Sequence, residues 1–237
     1  MPSFTHGKAV TVLMDGYDLS SYFSSATSSG TADTAEVTTF GASAKSYIPG
    51  QKDATVSVEG YYSGVAEGVD DYLQGVIAGE GVWSIVIADA LAARGYGAKV
   101  VDTSYEIGAE VGGAVSVSAE GQSTTGQEGV VVLAPLAAAT ATGTGTQVDN
   151  TDSTANGAAC YLHVTAASGT TPTLDVVVEH SADASTWVTL ATFAQVAAGG
   201  NAERVAVTGT VNRYLRASWT ISGTSPSFTF HVSAARL

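Results

Sequence analysis

One cysteine in 237 residues, Cys160, excludes an intrachain disulfide. Its neighbours Leu162 and Val164 recur with period two, so a small buried hydrophobe is the expectation there. Basic residues are scarce as well: nine lysines and arginines stand against 22 acids, a formal charge of −13. Such a surface repels phosphate, which argues against nucleic-acid binding but lets DNA pass without sticking. Charge of either sign makes up only 13% of the chain, about half the usual share. That composition fits a protein that spends its life against copies of itself. Also missing are an apolar run of the roughly 20 residues that a spanning helix needs and a basic-then-apolar leader. Synthesis in a cytoplasm, with no membrane partner, is expected.

Catalytic signatures are equally absent. There is no Gly-x-Ser-x-Gly elbow, no Gly-x-x-x-x-Gly-Lys loop and no Gly-x-Gly-x-x-Gly between strand and helix. His6, His163, His180 and His231 have no second ligand at metal spacing. The run from Asp152 mimics the start of a calcium loop, but its twelfth position is His163 where a bidentate Glu is needed. No catalytic residue, cofactor or metal is therefore expected. His163 and His231 fall on outward strand faces, as solvated neighbours. Trp187, with Tyr161 and Tyr214 on polar strand faces, is a candidate platform for a surface glycan, with core packing as the alternative reading.

What the chain does have is alternation. A mainly β fold is expected: an antiparallel β sandwich or barrel with one packed α-helix over 1–135, an Ala/Thr/Gly linker over 136–146, and an all-β sandwich over 147–237. The acids concentrate in the first part, sixteen through Pro135 and six after it. Strands are predicted at Lys8–Met14, Ala35–Phe40, Val82–Ala88, Lys99–Ile107, Ala114–Gly121 and Glu128–Leu133. The Ser/Thr-rich run after Phe23 reads as irregular. Val69, Tyr72, Leu73, Val76 and Ile77 form one apolar stripe, which predicts a helix over Glu67–Ala78. The linker carries no periodicity. Beyond it, six short strands are predicted at Ala159–Thr165, Thr173–Glu179, Trp187–Phe193, Glu203–Val207, Tyr214–Ile221 and Ser227–Ala234.

The organising stretch is Gly41–Tyr62. A loop carrying Lys45 and Lys52 turns at Pro49-Gly50 and feeds a strand in which Ala54, Val56, Val58 and Gly60 alternate with Thr55, Ser57, Glu59 and Tyr61. A Tyr47-Ile48-Pro49 tip on a rigid sheet suits docking to a partner subunit. An ordinary turn folded back onto its own core is the alternative.

The run Phe-Gly…Lys-x-Tyr-Ile-Pro-Gly…Asp-x-Thr-Val-Ser…Gly-Tyr-Tyr, within residues 8–134, resembles the tail tube (major tail) proteins of long, non-contractile-tailed bacteriophages. The resemblance implies a structural virion protein, not an enzyme, which self-assembles into hexameric rings stacked as a tube for DNA ejection. Lys45, Tyr47, Ile48, Pro49, Gly50 and Lys52 would then form an inter-ring loop, and Thr55, Ser57, Glu59 and Glu120 an acidic lumen face. The implied partners are further copies of the chain and the terminator, tape measure and distal tail proteins. Genomic DNA would pass without specific binding, and the protein would reside in the phage tail after synthesis in the host cytoplasm. The second half is similar, less specifically, to immunoglobulin-like modules that decorate phage virions, and would hang outside the tube. The alternatives are a distal tail or capsid decoration protein and, from another class, a carbohydrate-binding module.

Overall fold

A computed structural model describes residues 5–66 and 68–237. The strands in chain order are β1 (Thr11–Met14), β2 (Tyr17–Asp18), β3 (Phe23–Glu36), β4 (Tyr47–Tyr61), β5 (Glu80–Val86), β6 (Arg94–Gly108), β7 (Ser116–Ser123) and β8 (Glu128–Ala139). They continue with β9 (Gly143–Thr144), β10 (Val148–Asp149), β11 (Ala158–Ser181), β12 (Val188–Thr192), β13 (Asn201–Val207) and β14 (Tyr214–Arg236). The mainly β expectation holds, and every strand pairing is antiparallel.

In the first half, β6 belongs to two layers. Its N-terminal part pairs with β5 and β8, and from Val100 onward it pairs with β7, with a register shift at Asp102/Ser104. A bulge of this kind bends a strand and strengthens its twist, so one layer is β2-β1-β5-β6 and the other β3-β4-β7-β6. Val12, Met14, Trp83 and Ile85 from the first layer meet Val56, Val58, Val117 and Ala119 from the second in one core. The predicted helix is shorter than its stripe. It spans Val69–Leu73 as α1, with Val69 and Leu73 buried, and the chain then turns. Glycines at 75 and 79 weaken the last turns, and Ile77 is exposed. Glu67, the expected first residue, lies outside the described residues.

The second half is built on two long strands where four short ones were expected. β11 and β14 pair along their lengths, from Ala158↔Arg236 to Ser181↔Tyr214. Register shifts between Ser168 and Thr173 interrupt the ribbon, and Gly169 (φ 113°) and Gly223 (φ 121°) mark the bend. Glycine accepts that backbone at little cost. Cys160, Leu162 and Val164 from before the bend share a core with Leu174, Val176 and Val178 from after it. The ribbon thus supplies both layers of a sandwich, and Cys160 is the small buried hydrophobe expected.

Two expectations fail at the join. Residues 136–139, read as linker, belong to β8, where Ala137, Ala138 and Ala139 pair with Phe230, Thr229 and Phe228. β8 therefore joins β6 of the first half to β14 of the second. The second half does not hang free either. Val82 and Val130 pack on Ala159, Tyr161 and Ala235 across a buried seam. His163 and His231 are indeed neighbours, their rings 6.5 Å apart, but neither is solvated, because the first half covers that strand face. His163 Nε2 lies 2.9 Å from Ser84 Oγ, and His231 Nδ1 lies 3.0 Å from Asp89 Oδ1. Separately, the buried Glu128 accepts from Arg204 and from the Tyr161 hydroxyl.

Candidate assembly interface

β3 and β4 form a hairpin whose distal part leaves the core. Every residue from Ser29 to Asp53 is exposed, and Ala54 is the first of the buried series Ala54, Val56, Val58. At about 3.3 Å per strand residue the arm reaches roughly 25 Å beyond the packed body. On the β3 side it is built of small and polar residues, and neither strand of the arm shows an apolar alternation, because neither face is covered. Backbone pairing holds it instead, in register from Glu36↔Tyr47 to Ala26↔Val58. At the tip, Val37 N–H donates to the Ser46 carbonyl at 2.8 Å, and Lys45 pairs with Glu36 at 2.8 Å.

The expectation of a loop over Lys45–Lys52 is corrected here. Lys45 lies in the tip turn, but Tyr47, Ile48, Pro49, Gly50 and Lys52 are strand residues of β4. Pro49 lacks an N–H and sits beside the register shift at Ala32/Thr34, where a strand tolerates it. Tyr47 and Ile48 do not fold back onto a core; they are 53% and 52% exposed. Val37 and Phe40 add further exposed apolar surface at the tip. An exposed apolar hairpin end marks a contact surface.

The β3-β4-β7-β6 layer presents its other side to solvent. Register lays Ser57 beside Glu120, Glu59 beside Ser118 and Thr55 beside Gln122. Thr27 and Ser25 of β3 extend these rows on one side, and Ser104 and Glu106 of β6 on the other. Thr55, Ser57, Glu59 and Glu120 thus share one face of small polar residues. Glu106 is its third acid, which sequence reading missed although the alternation in β6 carries it. No lysine or arginine stands in these rows. The edges of the layer are open: among the described residues, no strand pairs with the outer side of β3 or with the side of residues 104–108 of β6 that faces away from β7. At the end opposite the arm, a cleft of about 370 Å³ is lined by Glu59, Tyr61, Glu106, Ile107, Ser116 and Ser118.

The aromatic trio does not come together. Tyr161 is buried in the seam, and burial beside Glu128 pushes its hydroxyl well above the ordinary phenol range. Trp187 is half-buried, with the Arg216 guanidinium 4.0 Å from its ring centroid. Arg213 covers Tyr214 at 4.9 Å. Among the described residues no group of three His, Cys, Asp or Glu side chains could hold a metal ion, and no helix is long and apolar enough to cross a membrane.

No protein-family model and no curated protein sequence matches the chain. Among solved structures, it is similar to a chain of the virion of a native gene transfer agent particle. That likeness has 15% identity and a TM-score of 0.41, over 52% of this chain and 97% of that one. A chain from the tail of an empty gene transfer agent particle, refined with C6 symmetry, matches at 16% identity and a TM-score of 0.41 over the same shares. The Dit protein of phage SPP1, described as a paradigm of the hub adsorption apparatus in phages infecting Gram-positive hosts, matches at 15% identity. Its TM-score is 0.38, over 96% of this chain and 99% of that one.

Proposed function

We propose that the chain is a structural subunit of a phage tail tube, assembling head to tail into rings that stack into a hollow cylinder. The observation that carries this reading is one layer with two open edges and an acidic, small-residue face, extended by an arm. The free edge of β3 in one copy pairs with residues 104–108 of β6 in the next, a heterologous contact that closes on itself as a ring and removes both edges. The shared polar face then lines the bore, where Glu59, Glu106 and Glu120 repel phosphate and let DNA slide. The arm crosses to the adjoining ring. Its tip carries the exposed Val37, Phe40, Tyr47 and Ile48. The cleft at the far end of the layer carries Tyr61 and Ile107, an apolar surface that suits this tip.

Negative-stain microscopy of the purified protein, with size-exclusion chromatography over a concentration series, tests this. Tubes are expected, and the double variant Tyr47→Ser, Ile48→Ser should give rings that do not stack. Rings without tubes from the parent protein would instead indicate a distal tail hub. A monodisperse monomer at every concentration would refute assembly altogether.

A further inference from the structure

With nine cations among 22 acids, a hollow flanked by two arginines is unexpected in this chain, and one lies at the rim of the seam. Register sets Arg94 of β6 opposite Val131 of β8, and Val131 opposite Ala234 of β14. Side chains two residues apart on a strand share a face, so Gly129 and Arg236 continue that surface one step along. A Cβ at Gly129 would meet nothing within 4 Å. The resulting hollow of about 300 Å³ has Arg94 and Arg236 in its lining and the Val148–Thr151 segment as a wall.

Neither guanidinium is neutralised. Arg94 is exposed and makes no ion pair among the described residues. Arg236 donates from Nη1 to the Asn150 carbonyl at 3.2 Å and from Nη2 to the Asp152 carbonyl, so backbone oxygens hold it and no carboxylate does. Asp149 also lines the hollow, but its carboxylate is already taken. Arg213 donates to it from Nε at 2.7 Å and Nη2 at 2.6 Å, and the Thr151 N–H at 2.8 Å.

We propose that this hollow binds a free tetrahedral oxyanion of the phosphate class between Arg94 and Arg236. A guanidinium fork takes two oxygens at once. Arg94 has its whole fork to offer, while Arg236, held by the Asn150 and Asp152 carbonyls, adds a fixed positive charge and its remaining N–H groups, and a tetrahedral anion has oxygens enough to face both.

The full-length protein is melted in rising sodium phosphate at fixed pH, with ionic strength held constant by chloride. Binding should raise Tm saturably, by about 4 °C at ten times Kd. Exclusion of phosphate from protein surfaces also stabilises, but without saturation and alike in every variant. Arg94→Gln should lose the saturable shift. Gly129→Glu, which sets a carboxylate into open space between the arginines, should lose it too and melt higher than the parent without phosphate. The same saturable shift in parent and Arg94→Gln overturns the proposal. So does a shift given by glycerol phosphate and not by the free ion.

Discussion

Burial holds the His163 imidazole neutral, down to a pKa of about 3, and the neighbouring His231 adds to the effect. An unfolded imidazole titrates near 6.5. Between those values the unfolded chain binds a proton that the folded chain refuses, so stability falls with pH by about 1.4 kcal/mol per unit. Asp102 works in the opposite sense. Burial and the Asp15 charge raise its pKa to about 7, so its contribution is full below the ordinary carboxylate pKa and is lost as pH rises to neutrality. The two windows overlap and partly cancel in the parent protein, so differences from single variants isolate them. His163→Gln should gain Tm relative to the parent as pH falls from 6.5 to 4, and Asp102→Asn should gain as pH rises from 4 to 7. Alternation in the sequence placed His163 and His231 correctly on the face away from the sandwich core. It could not show that this face is covered, because the covering residues, Ser84 and Asp89, lie more than 70 positions away.

At the level of elements, legibility followed burial. Ala54–Gly60 and Val115–Glu120 were readable as strands because one of their faces packs and the other does not. Residues 29–34 were unreadable because a strand without a buried face leaves no periodic trace. The ribbon of β11 and β14 appeared as four strands because Gly169, Pro172, Gly223 and Pro226 carry turn chemistry, which here serves a bend. The base of the arm depends on Gly60. A Cβ there would stand 2.0 Å from the Tyr22 carbonyl oxygen and 2.7 Å from Phe23 Cα. Gly60→Ala should therefore cost about 1–3 kcal/mol in urea unfolding. Tyr47→Ser with Ile48→Ser, both on exposed positions, should stay within about 0.5 kcal/mol for each change. That contrast separates a contact surface from a core.

For the whole molecule, each half expected from composition has its own core, but no free tether separates them at residue 135. An alanine-rich run without periodicity looks like a tether, yet these small side chains give β8 room to pair beneath Phe228 and Phe230. A protein ending at Pro135 would lack the β14 partner of β8 and expose Val82 and Val130. It should be insoluble or lack a cooperative melt, as circular dichroism and size-exclusion chromatography would show. A soluble, cooperatively melting fragment would mean that the seam contributes little.

The position of β14 has a further consequence. It is the last strand in chain order among the described residues, yet it lies inside the sheet path, between β11 and β8. While a ribosome is still translating, both neighbours wait for the same missing piece, and the joint between the halves stays open. Until β14 has been made, the seam with Ala235 cannot close and β8 lacks its neighbour in the second half.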